Sequence, residues 1–243
     1  MSLFTYNITL EEARRLIQSG ADVNEKNNRG FTPLHQACDY NNFEVAELLI
    51  RSGAEVNTKN GIANTPLYYT CCYMNPELAD LLIRNGAEVN TKNNDEETPL
   101  HWTCCNTNPE VVEWLIRSGA EVNVRNIYAS TPLHWACRYN NPKVAELLLR
   151  SGAEVNAMDY YRTTPLYWAC SSRNRELMEL LIRSGANVCA MYPRYALNPI
   201  VKKCMEYLKS YIVDRLRVYE EALVMHSWHP KRLLKWCSED SKQ

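Results

Sequence analysis

A single period governs this chain. The triplet Thr-Pro-Leu begins at Thr32, Thr65, Thr98, Thr131 and Thr164, and a Gly-Ala pair begins at Gly20, Gly53, Gly86, Gly119, Gly152 and Gly185, every step being 33 residues. Two unrelated motifs that keep one spacing identify a structural unit copied along the chain, and such copies stack as a quasi-linear array.

The stretch Asn126 to Met158 shows what each unit contains. Thr131 has a hydroxyl suited to a helix N-cap, and Pro132 follows at the first helical position, where the missing N–H is no loss. The first helix is predicted to run to about Tyr139. Asn140 and Asn141 then close it and cap a second helix, which opens at Pro142, carries Arg150 in its last turn and stops at Gly152. Helices this short, under ~12–15 residues, are marginal in water by themselves. The apolar face of Leu133, Ala136, Cys137, Val144, Leu147 and Leu148 must therefore be buried against neighbouring copies.

With Thr-Pro-Leu-His, Ala-Cys, Leu-Leu and Gly-Ala-Glu-Val-Asn in place, the chain resembles the ankyrin repeat family over roughly residues 10 to 191. The resemblance implies an all-α solenoid of paired antiparallel helices with short β-hairpin loops, a concave wall of first helices and hairpins, and a role in binding proteins. His35, His101 and His134 belong to the signature, where the family uses them for hydrogen bonds between hairpins, and Tyr68 and Tyr167 replace them in the other copies. Residues 1–26 read as a partial N-terminal capping repeat, 27–59, 60–92, 93–125, 126–158 and 159–191 as five full repeats, and 192–243 as a degenerate sixth repeat with a helical cap. Glycine two places before the signature threonine survives only as Gly30. Ala63, Glu96, Ala129 and Arg162 replace it, so the family's glycine tip is not written in the sequence at four of five places.

Charge and composition narrow the function. A formal net charge of −1, without a basic stripe or a long like-charge block, offers no footprint for nucleic acid or membrane. No apolar run is long enough to span a bilayer, and MSLFTYNITLEE has neither a basic leader nor an apolar core, so a monomer in a reducing compartment, cytoplasm or nucleus, is expected. The cysteines fit that expectation. Cys38, Cys71, Cys104, Cys137 and Cys170 keep the period and so stand on successive packed helices, about 8–10 Å apart. A disulfide needs Cα atoms within about 4.4–6.8 Å, so these are read as reduced core residues. Neither a nucleophile elbow, a phosphate loop nor a paired acid–base set is present, and His226, His229 and Cys237 match no standard zinc spacing. The expectation is no enzyme, no cofactor and no metal.

Subtracting the scaffold leaves the candidate recognition residues. Glu47, Asp80, Glu113, Glu146 and Glu179 precede Arg51, Arg84, Arg117, Arg150 and Arg183 by four places and read as solvated helix pairs. The first helices instead carry Gln36, Tyr69, Trp102, Trp135 and Trp168 at one repeating position, and Tyr73, Arg138 and Tyr139 one turn further on. These rings either fill gaps between repeats or face a partner. The hairpin tips vary too: Asp95 to Glu97 make the third acidic, whereas the later ones carry Tyr128, Tyr160, Tyr161, Arg162, Tyr192, Arg194 and Tyr195. Tyr, Trp and Arg are the types favoured at binding hot spots, which points to the C-terminal half of the wall as the site for a protein or peptide.

Two further readings rest on resemblance. Asn24, Asn57, Asn90, Asn123 and Asn156 stand where asparaginyl hydroxylases modify ankyrin repeats, although such asparagines also bond local turns. The ending Trp228, His229, Pro230, Arg232, Leu233 and Trp236 resembles tails on ankyrin proteins of large DNA viruses. The alternative function is therefore an adaptor whose tail recruits a second machine, such as a ubiquitin ligase, while the repeats select the client.

Overall fold

The computed structural model describes residues 3–4, 8–73, 75–105 and 109–187, without the side chains of residues 72 and 73. The chain divides into two compact units, Met1–Ala190 and Met191–Gln243, and every described helix lies in the first. The tail and the sixth-repeat residues Tyr192, Arg194 and Tyr195 lie outside the described residues.

The described residues form eleven helices and no strand. One layer holds the inner helices α2 (Pro33–Asp39), α4 (Pro66–Tyr73), α6 (Pro99–Thr103), α8 (Pro132–Arg138) and α10 (Pro165–Ser171). The other holds the outer helices α1 (Leu10–Gln18), α3 (Phe43–Arg51), α5 (Pro76–Arg84), α7 (Pro109–Arg117), α9 (Pro142–Arg150) and α11 (Arg175–Arg183). Each inner helix packs on the next inner helix and on its own outer partner, which makes a two-layered solenoid. Among the described residues the first helix is α1, of the outer type, which packs on α3 and is capped at its N-terminus by a capping box between Thr9 and Glu12.

Helix boundaries follow local chemistry. Thr32, Thr98 and Thr131 cap inner helices that begin with proline, and Asn42, Asn75 and Asn174 cap outer helices through side-chain bonds to Val45, Leu78 and Leu177 N–H. Between the layers lies a leucine core: Leu34, Leu67, Leu100 and Leu133 from the inner row and Leu49, Leu82, Leu115, Leu148 and Leu181 from the outer row have 0% exposure. Cys38, Cys71, Cys104, Cys137 and Cys170 are buried free thiols in the same core. Burial pushes the Cys38 thiol up to about 12, which keeps it protonated and unreactive.

The loops between repeats project as fingers. Each folds back through two backbone bonds, such as Asn60 N–H to Asn64 C=O (3.0 Å) and Ala63 N–H to Asn60 C=O (2.9 Å), too short a pairing to make a β-ladder. At the tips Ala63, Glu96, Ala129 and Arg162 take φ of 61°, 56°, 56° and 59°, the left-handed conformation Gly30 adopts at 74°. The tip geometry is therefore kept without glycine. Successive fingers hold one another: Gly61, Asn94, Ile127 and Tyr160 N–H donate to the carbonyls of Arg29, Ile62, Asp95 and Tyr128 at 2.9 to 3.1 Å. Within each finger the left-handed residue's own N–H donates to the first residue's carbonyl, as Ala63 does to Asn60, and such local bonds help offset the steric cost of a Cβ there, about 1–2 kcal/mol. Gly30 itself is needed for space as well, since a Cβ would sit 2.9 Å from Gly61 N.

A second row of cross-links joins the repeats beneath the outer helices. Asn24, Asn57, Asn90 and Asn123 each donate an amide hydrogen to Gly53, Gly86, Gly119 and Gly152 C=O and accept from Glu55, Glu88, Glu121 and Glu154 N–H at 2.8 to 3.0 Å. Asn156 does the same with Gly185 and Asn187. The asparagines read as modification candidates are thus the bolts between neighbouring units.

Candidate binding surface

The inner helices set a row of rings along one wall, because one position of each first helix points to the same side of the stack. Phe31 and Tyr69 lie 5.2 Å apart, Tyr68 and Trp102 5.2 Å, Trp102 and Trp135 6.0 Å, and Trp135 and Tyr139 5.9 Å between centroids. The Arg138 guanidinium sits over the Trp168 ring at 5.0 Å, a cation–π contact to the next repeat. Tyr69, Trp102, Trp135 and Trp168 are half-buried. They therefore pack between repeats and leave part of each ring accessible to solvent.

Beneath the rings, imidazoles tie finger to helix. Thr32 N–H donates to His35 Nδ1 (3.1 Å), which leaves the proton on Nε2 to donate to Asn64 C=O (3.0 Å). His101 and His134 repeat this with Ser130 and Thr163. Burial holds His35 and His101 at about 4 rather than 6.5, so both are neutral at physiological pH. His134 is lowered in the same direction by the same desolvation. These histidines act as struts between finger and helix.

The third finger departs from this scheme. Tyr68 replaces histidine, and its hydroxyl donates to the Glu97 carboxylate, Oε2, at 3.1 Å. The indole Nε1–H of Trp102 donates to the same oxygen at 2.9 Å and Asn93 Nδ2 at 3.4 Å. Glu97 is only 7% exposed, and burial raises its carboxyl above the usual range, against the hydrogen bonds of Tyr68 and Asn93. Of the acidic residues expected at this tip, Asp95 and Glu96 are exposed and Glu97 is the one taken inside. In the sequence Glu97 is one of the variable tip residues and is not among the expected site residues. The signal was present: its counterparts Phe31, Asn64, Ser130 and Thr163 are all uncharged.

The other described candidates lie at an inner-helix end or at the finger tips. Tyr128, Tyr139, Tyr160 and Tyr161 are 50%, 47%, 72% and 61% exposed, and Arg138 and Arg162 are exposed beside them. Tyr73 ends α4, its side chain lying outside the described residues. On the opposite face the five acid–arginine pairs form, at 2.7 Å for Glu47–Arg51, Glu113–Arg117 and Glu146–Arg150, 2.8 Å for Asp80–Arg84 and 3.9 Å for Glu179–Arg183. Among the described residues no helix is long and apolar enough to cross a membrane, and no group of three or more His, Cys, Asp or Glu could hold a metal ion.

Stacked helix pairs, threonine and asparagine caps and bonded fingers define a repeat protein whose open wall is suited to recognition. The family profile described as ankyrin repeats in three copies matches residues 2–60, 59–126 and 125–192, and the chain belongs to the ankyrin repeat family. Such repeats are generally protein–protein interaction modules and typically lack enzymatic activity. Comparison with curated proteins finds no match.

Proposed function

We propose that this chain is a non-enzymatic scaffold that holds a protein or peptide in the groove formed by its inner helices and fingers. The observation that carries the reading is the distribution of exposed large apolar side chains. Tyr40, Ile62, Ile127, Tyr128, Tyr139, Met158, Tyr160 and Tyr161 all lie at inner-helix ends or beside the finger tips, and none lies on an outer helix. Such residues, set on a rigid backbone, lose little entropy on binding and carry much of the affinity at interfaces.

The experiment is affinity capture from cell extract with the wild-type chain beside a Tyr128, Trp135, Tyr161 and Trp168 alanine variant. Partners lost only by the variant, with its thermal unfolding still cooperative, support the groove. A partner held equally by both refutes it. Hydroxylation of Asn24, Asn57, Asn90, Asn123 and Asn156 stays a separate proposal, read by intact mass after co-expression with an asparaginyl hydroxylase. Because both ends of each amide are bonded across a repeat junction, the enzyme must first open that junction.

A further inference from the structure

Arg138 is the one Lys, Arg, Asp or Glu between Asn126 and Asn140, and its guanidinium lies over the Trp168 ring of the next repeat, 5.0 Å from the centroid. At the equivalent steps the chain sets Asp39, Cys72 and Cys105 ahead of Tyr69, Trp102 and Trp135, so joining repeats does not require a cation there. Attraction to an aromatic face uses the charge of a guanidinium and none of its five N–H donors. Among the described residues the donors of Arg138 meet neither a carboxylate nor any other acceptor. By contrast Arg51, Arg84, Arg117, Arg150 and Arg183 are each ion-paired to an acid of their own outer helix. Arg138 is exposed, and the ring already restrains it, so an incoming acceptor meets a fork that is partly ordered beforehand.

The charges of this end of the wall have one exposed sign. In the stretches 126–140 and 159–173 the charged residues are Arg138, Arg162, Arg173 and Asp159. All three arginines are exposed. Asp159 is 7% exposed, and its two oxygens accept from the N–H and the hydroxyl of Thr163. None of the three arginines has an ion pair among the described residues. Acid collects one finger earlier, at Asp95, Glu96 and Glu97, and Glu97 is itself bonded by Tyr68, Trp102, Asn93 and Asn126. The wall is thus polarised along its length, and its positive end favours a negative partner.

We propose that Arg138 receives an acidic side chain, aspartate or glutamate, of the partner polypeptide, its carboxylate on the guanidinium donors and its neighbouring apolar residues on Tyr139 and Trp135. This rests on the groove reading above and adds the chemistry of one anchor. A single fork of N–H donors matches the two oxygens of a planar carboxylate. Tyr139 is 47% exposed and its ring lies 5.9 Å from that of Trp135, which supplies the apolar surface beside the charge.

The test selects binders to the immobilised full chain from a phage-displayed library of random short peptides and remakes the strongest as synthetic peptides. The expected result is a family that shares an aspartate or glutamate at one register beside large apolar residues. Exchanging that acid for its amide, or Arg138→Gln in the protein, should each weaken binding about tenfold, and both together no more than either alone, the mark of a direct pair. Arg138→Lys keeps the charge without the fork and should recover only part of the loss. Arg138→Gln should leave the melting temperature unchanged, since the side chain is exposed. A selection that yields no peptides, or peptides without a shared acid, overturns the proposal. So does an acid whose loss weakens binding to the Arg138→Gln chain as much as to wild type, and so does a phosphoserine in its place that binds about tenfold tighter, which would make this a phosphopeptide site. An Arg138→Gln chain that melts lower yet holds the peptides unchanged would make the arginine a cover for Trp168 and overturn the proposal too. Peptides that ignore Arg138 but need Tyr128, Trp135 and Tyr161 leave the groove standing without this anchor. Peptides held equally well by a chain with alanine at those three positions remove the groove itself.

Discussion

The two faces of this stack have the same period and different freedom. The outer helices α3, α5, α7, α9 and α11 are all nine residues long, and each carries its acid–arginine pair. The inner row keeps its caps but varies in length from five to eight residues, and it exchanges Gln, Tyr and Trp at one position and His for Tyr at another. Copying preserved what holds one unit to the next, namely leucines, asparagine bolts and caps. Divergence collected where the backbone was already secured and a side chain was free to meet something else.

That contrast can be broken at several points. The largest effect belongs to the shared core: Leu133→Ala, at 0% exposure, should cost about 2–5 kcal/mol in urea unfolding, since the rigid layers around it cannot collapse into the hole. A loss below about 1 kcal/mol would mean that the layers are loosely packed.

Acid should strike the inner row next. The unfolded chain takes up protons on histidine near 6.5, whereas the folded His35 and His101 refuse them until about 4. The folded-state values are depressed, so the stability they contribute is complete above pH 6.5 and drains away as pH falls toward about 4, by up to about 1.4 kcal/mol per pH unit for each histidine. Urea midpoints measured from pH 7 to 5 should fall accordingly. Glu97 works in the opposite sense, because its raised carboxyl makes the ionised form a burden as pH rises past the carboxylate range. Any gain from Glu97→Gln should therefore shrink on acidification.

Asn90→Ala removes two bonds across one repeat junction and should cost about 1–3 kcal/mol, with faster amide exchange on both sides of the junction. Ala63→Gly relieves a left-handed alanine and should raise stability by about 0.5–1 kcal/mol. Arg150→Ala, on a pair whose arginine is 74% exposed, should change stability by less than about 0.5 kcal/mol, and that near-silence separates the outer face from everything within.

These comparisons also mark how far the sequence could be read. Threonine, proline and asparagine set the helix ends by local chemistry, so a first helix drawn from Thr131 to Tyr139 became α8, Pro132–Arg138, with both flanking residues as caps. The finger tips are harder to read. The left-handed turns at Ala63, Glu96, Ala129 and Arg162 are held by the Asn or Asp that opens each finger, whose side chain accepts a backbone N–H four residues on, but the sequence lacks the glycine that would mark them. Glu97 stands out in the sequence as a charge among uncharged counterparts, but its burial depends on Tyr68, which reaches it from the preceding repeat. The aromatic ladder was legible as a row of rings, but its division between packing and exposure depends on neighbours across each repeat.

The most direct measurement is amide hydrogen exchange on the full chain with and without a captured partner. The account predicts slowed exchange in the fingers 93–97, 126–130 and 159–163 and in α6, α8 and α10, with the outer helices unchanged. Protection confined to α3, α5, α7, α9 and α11 would contradict it.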